Sequence, residues 1–212
     1  MLYDITRTLT LRSAAFPGDT RVSLVPVAEI TRGASVNVTA ITCSSHAGTH
    51  VDAPRHYSSD GVGIDQVSLD VLIGPCRVLT IDEPGDLLLA TLQARLSGAP
   101  PPARLLLHTR ASAVPDDLWD DGFAAIEPAA AEWLGALGVR LIGVDAPSVD
   151  PADSKTLPAH KAFLHSGVTI MENLQLTGVP DGEYELIALP LRIAGIDAAP
   201  ARVVLRISDF RF

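Results

Sequence analysis

Val36-Asn-Val-Thr-Ala-Ile-Thr-Cys-Ser-Ser-His46-Ala-Gly-Thr-His50-Val-Asp52-Ala-Pro-Arg-His56 is the stretch on which the reading of this chain turns. Three of the six histidines and an aspartate fall at positions 46, 50, 52 and 56. If the run is extended from Val36 to Asp52, period two puts Val36, Val38, Ala40, Thr42, Ser44, His46, Gly48, His50 and Asp52 on one face. A buried face would then continue into a cluster of metal ligands. A helix would also align His46 with His50, but it would point Asp52 about 200° away from His50. Gly48, between the two histidines, is expected to leave room for an ion.

The residue types point to a metal. An ionised aspartate buried beside two imidazoles is costly unless something positive compensates, and a divalent cation does this while holding the histidines neutral. Imidazole and carboxylate without thiolate fit zinc, with manganese or iron as alternatives. His46, His50 and Asp52 are therefore candidate ligands. Three protein ligands leave a two-metal hydrolytic site incomplete. The next candidates are His160, in the first turn of a helix opened by Pro158, and Glu172, which ends the strand-like Val168-Thr-Ile-Met-Glu172. Taken alone, such a histidine or glutamate is more often solvated. His165 lies about 140° round the helix from His160 and should not share its site. His108, inside an apolar run, reads as a hydrogen-bonded structural histidine.

Outward from that stretch, Val-, Ile- and Leu-rich runs bounded by turn residues predict strands at Val22–Val27, Arg77–Ile81, Arg104–Thr109, Leu141–Val144, Tyr184–Leu191 and Arg202–Ile207. Helices are expected at Asp86–Leu96, at Pro128–Leu137 with Gly138 as its stop, and at Pro158–His165 with Gly167 as its stop. Ser97-Gly-Ala-Pro-Pro-Pro102 reads as a surface loop. The sum is an α/β fold, a compact single domain over residues 1–212 with a mostly β core and a few packed helices. The pattern leaves strand order open.

Composition sets the outer bounds. The 212 residues are 47% hydrophobic and 19% charged, the balance of a globular chain with a sizeable core. A net charge of -9 repels phosphate backbones and anionic membrane surfaces, so neither nucleic acid nor membrane is expected as a partner. Cys43 and Cys76 are too few for a disulfide framework and are expected as reduced core thiols. The opening Met1-Leu-Tyr-Asp4 carries no export signal and no later run has membrane-spanning length, so a cytoplasmic protein acting on a small molecule is expected.

The chain resembles the cyclase-type metal-dependent hydrolase family, and within it the bacterial kynurenine formamidases. The likeness rests on Phe16-Pro-Gly-Asp-Thr20, on the HxGxHxDAPxHY run from His46 to Tyr57, and on Leu141-Ile-Gly-Val-Asp-Ala-Pro-Ser-Val-Asp150. Ser154-Lys-Thr156 with His160 and Glu172, and Gly182-Glu-Tyr-Glu-Leu-Ile-Ala-Leu-Pro-Leu191, add to it. It implies a swivelling β/β/α arrangement, a homodimer, and two zinc ions per subunit, with manganese as the alternative. By that resemblance His46, His50 and Asp52 hold one ion, while Asp52 and Glu172 bridge to a second that His160 also holds. His56 resembles the catalytic acid/base. The implied activity is hydrolysis of N-formyl-L-kynurenine to L-kynurenine and formate; opening of a cyclic amide such as isatin, or a catalytically silent metal-binding role, are the alternatives. Phe16 stands where the formamidases generally carry a tryptophan associated with the substrate's ring, which makes Phe16 a candidate substrate-binding residue. His108 stands where an arginine is expected.

Overall fold

The computed structural model describes residues 1–207. Among these residues ten strands form in chain order: β1 (Leu2–Asp4), β2 (Ser23–Ala28), β3 (Val38–Thr42), β4 (His50–Asp52), β5 (Ile73–Thr80), β6 (Arg104–His108), β7 (Leu141–Val144), β8 (Thr169–Glu172), β9 (Gly182–Pro190) and β10 (Ala198–Arg206). Four helices accompany them: α1 (Leu69–Leu72), α2 (Leu89–Leu96), α3 (Pro128–Ala136) and α4 (Pro158–His165). Strands β10, β4, β8, β7, β6, β5 and β9 are neighbours in that order, and β9 pairs back onto β10. The sheet is thus a closed seven-stranded barrel, with β1 added to β10 at its other edge. Strands β5 to β8 run parallel, and the remaining pairings are antiparallel.

Period two sorts the barrel's side chains into two cores. Val51, Val78, Leu106, Leu141, Met171, Leu186, Ala199 and Val203 fill the interior. Their chain neighbours Leu79, Leu105, Leu107, Ile142, Val144 and Ile170 point outward and are covered by Leu92, Ala130, Leu134 and Phe163 of α2, α3 and α4. Parallel strands buried on both faces read as unbroken apolar runs, as Leu105-Leu-Leu107 does. Each leucine so buried contributes roughly 2 kcal/mol.

Elements expected from the sequence appear with small shifts. Helix α4 and strand β7 have the expected bounds, whereas α2 starts at Leu89 rather than Asp86. Asp86 instead accepts from the Ala125 amide, and Glu127, the residue before α3, accepts from the Leu89 amide at 2.7 Å. Of the expected surface loop, residues 97–101 are exposed and Pro102 is buried. Of the two cysteines expected in the core, Cys76 is buried but Cys43 is only half-buried.

The largest correction falls on the opening stretch. Residues 36–52 are not one extended run with a buried face. Strands β2 and β3 form a separate two-stranded hairpin, and every residue of β3 is exposed. Val38 and Ile41 keep 47% and 68% of their surface in solvent. The chain then turns between Ser44 and Gly48 and only at His50 enters the barrel. Alternation marks an extended segment, but it does not say which sheet the segment joins.

Candidate metal centre

His50 and Asp52 flank Val51 on β4. Because Val51 points into the barrel, both side chains must point outward, toward α4. Across the β4–β8 ladder His50 is the direct partner of Glu172, which shares the outward face of β8 with Ile170. Helix α4 lays His160 over the same spot. Its N-terminal amides find no cap in Leu157, and Asp150 takes that role by accepting from the Ala159 and His160 amides at 2.9 and 3.0 Å. His46 comes from the turn before β4. The six residues singled out by sequence as metal or proton-transfer groups thus converge, His46 and His56 partly open and the other four buried.

The distances divide the cluster around Asp52. Its Oδ1 lies 3.1 Å from His46 Nδ1 and 3.4 Å from His50 Nε2. Its Oδ2 lies 3.5 Å from His160 Nε2, which is also 3.5 Å from Glu172 Oε1. Glu172 Oε2 completes the ring at 3.4 Å from His50 Nε2. These are contacts between charges rather than aligned hydrogen bonds: His50 Nε2 and both Asp52 oxygens are buried without a hydrogen-bond partner among the described residues. Bonds of about 2.0 Å from a tetrahedral ion place its donors about 3.3 Å apart, so the donor set fits divalent metal. Two groups of donors, His46 with Asp52 and His56, and His50 with Asp52 and Glu172, each converge closely enough to hold an ion.

Charge makes the same point. Burial works against a charged His50, but Asp52 and Glu172 outweigh it and raise the ring to about 10. His160 rises to about 12, with Asp150, Asp52 and Glu172 overcoming burial. Two buried carboxylates demand positive charge here, and a divalent ion satisfies them without protons.

Each ring's outer nitrogen is already committed. His50 Nδ1 faces Gly48 O at 2.9 Å, His160 Nδ1 faces Asp150 at 2.7 Å, and His46 Nε2 faces Asp197 at 3.1 Å. Such partners fix which nitrogen is left for a metal. Sequence reasoning missed Asp150 and Asp197. Asp150 closes the quoted Leu141–Asp150 motif, which was a signal; Asp197 carried none. Gly48 also has a different reason from the one expected. Its φ is +60°, and a Cβ there would meet Leu9 Cδ2 at 2.7 Å, so it serves the turn and not the ion.

His56 stands at the edge of the cluster, its ring 4.1 Å from that of His46 and its Nδ1 3.6 Å from Asp197. Burial lowers its pKa; Asp52 opposes this, and His46 and His160 reinforce it, so the ring is neutral at neutral pH. The cluster opens into a cavity of about 510 Å³ that Phe16 and Trp119 also line. His165 is exposed, and His108 contacts Thr80 Oγ1 at 3.4 Å, away from the site.

Fold and cluster together define the class: a histidine–carboxylate metal-site protein on a closed α/β barrel. The chain belongs to the family described as putative cyclase, whose model matches residues 3–151. It is 45% identical to a kynurenine formamidase of Delftia acidovorans over 209 residues, 97% of each chain. A kynurenine formamidase of Paracidovorax citrulli is 46% identical, covering 97% of this chain and 96% of the relative. The structure of a predicted metal-dependent hydrolase from Bacillus stearothermophilus superposes with a TM-score of 0.83 at 28% identity, covering 97% of each chain. No helix among the described residues is long and apolar enough to cross a membrane.

Proposed function

We propose that this protein hydrolyses N-formyl-L-kynurenine to L-kynurenine and formate, as a metal-dependent arylformamidase of tryptophan breakdown. The observation that carries the reading is the unpartnered Asp52–His50 pair at the centre of three further donors, beside a cavity of about 510 Å³. Identity of 45% and 46% with two kynurenine formamidases, over 97% of this chain, supports the substrate. We read His46, His50 and Asp52 as holding one zinc and Asp52, Glu172 and His160 a second, with manganese the alternative. Zinc bound here supplies Lewis acidity and lowers the pKa of water to roughly 7.

The chain's own residues handle orientation and the proton. Asp150 and Gly48 O hold His160 and His50 in one tautomer. His56 Nδ1 faces Asp197, which leaves Nε2 to take a proton from water and deliver it to the departing aryl nitrogen, a poor leaving group as an anion. Phe16 contributes to the wall beside the substrate's ring. No serine nucleophile is needed.

We also read the chain as one domain, working in the cytoplasm as a homodimer. The β2–β3 hairpin supports the last point, because Val25, Val27, Val38 and Ile41 are exposed on an element that an isolated pair of strands does not stabilise by itself.

The test is a zinc titration of chelator-treated protein, following kynurenine and formate release from N-formylkynurenine. Stoichiometric formate that tracks metal content is expected. Turnover of isatin without any formate would favour the cyclic-amide reading, which Phe16 keeps open. Bound metal with no turnover of either would favour a silent protein.

A further inference from the structure

The cavity beside the cluster has an aromatic wall drawn from two distant parts of the chain. Phe16 comes from the N-terminal segment and Trp119 from the loop between β6 and α3. Their ring centroids are 5.1 Å apart with planes at 70°, an edge-to-face contact. Trp119 also meets Phe123 edge-on at 6.4 Å, and Phe123 is buried in the outer core. The loop that carries Trp119 is fastened at both ends. Arg7 donates to Val114 O at 3.2 Å and pairs with Asp116 at 2.7 Å, while Arg110 pairs with Asp120 at 2.9 Å and reaches Gly122 O.

We propose that Trp119 is a specificity-determining residue: its indole is the main surface on which the aromatic ring of an aryl amide stacks, with Phe16 closing one edge. This rests on the aryl formamidase reading of the site. A ring held in place before the ligand arrives loses little entropy on binding, and indole offers the largest aromatic face in the set. Phe16 alone presents a smaller ring, set edge-on to its neighbour. The stack lies away from the bond that breaks, so it is felt alike in ground and transition states and belongs to KM rather than kcat.

The experiment compares zinc-loaded wild type with Trp119→Leu and Trp119→Phe. It measures N-formylkynurenine kinetics and, by calorimetry, the binding of L-kynurenine, with melting curves as the check on folding. Trp119→Leu is expected to raise KM and the kynurenine Kd roughly tenfold with kcat within about twofold, and Trp119→Phe to fall between. Should the leucine variant fail to fold, the phenylalanine variant, which keeps a ring against Phe123, decides. Unchanged KM and Kd in a folded variant overturn the proposal, as does a kcat loss with KM intact or a wild type that binds no kynurenine. A wild type that binds kynurenine in this Trp119-dependent way without hydrolysing N-formylkynurenine ends the proposed reaction and leaves the aryl wall standing.

Discussion

At the scale of single residues, the proposed site separates groups read as holding an ion from His56, read as moving a proton. His56 is neutral at neutral pH because burial lowers its pKa, yet its donors lie close enough to His46 and Asp52 to hold an ion with them. The two roles predict different losses. His56→Ala should cut kcat by roughly 10²- to 10⁴-fold while metal content by elemental analysis stays at the wild-type value; a variant that loses metal makes His56 a ligand. Asp150 acts one step further out, through the 2.7 Å contact to His160 Nδ1. Asp150→Asn keeps an oxygen for the α4 amides but loses the charge that orients the ring. Metal affinity by competition with a chromogenic chelator should fall roughly 10- to 100-fold, with the metal-free protein still folded.

At the scale of elements, the parity of β4 and β8 does most to build the site. Val51 must fill the barrel, so His50 and Asp52 must leave it. The neighbouring register then brings Glu172 opposite His50. Alternation over residues 50–52 and 168–172 was legible in the sequence for this reason. The extension of the same pattern back to Val36 was not, because the hairpin alternates too while packing on no core. Gly48 is where the chain changes from one to the other, and its left-handed φ allows the turn. Gly48→Ala should destabilise by about 1–3 kcal/mol, from the backbone cost and the displaced Leu9 together, read as a lower urea midpoint at unchanged slope.

At the scale of the whole molecule, the proposed metal site doubles as a stability element once an ion is bound. Asp52 and Glu172 are held in the outer face of a closed barrel and roofed by α4, so an ion between them joins β4, β8 and the helix. Metal that binds only the folded state at about 100 times its Kd stabilises by about 2.7 kcal/mol. For a chain of this size the melting temperature should rise by roughly 5–11 °C on adding zinc to chelator-treated protein. A melt indifferent to zinc would refute a site that spans these elements.

The chemistry of the donors, and most of the elements that carry them, are legible in the amino-acid order alone. Residue type limits what can bind, and periods of 2 and 3.6 are local properties written into neighbouring side chains. Thus His46, His50, Asp52 and His56 could be read together from one short run, while His160 and Glu172 needed family resemblance to be tied to it. That β9 closes onto β10, that β4 lies beside β8, and that Asp197 and Trp119 reach the site emerge from the folded molecule alone. Strand order and loop placement depend on which distant surfaces bury each other, and no local period encodes that.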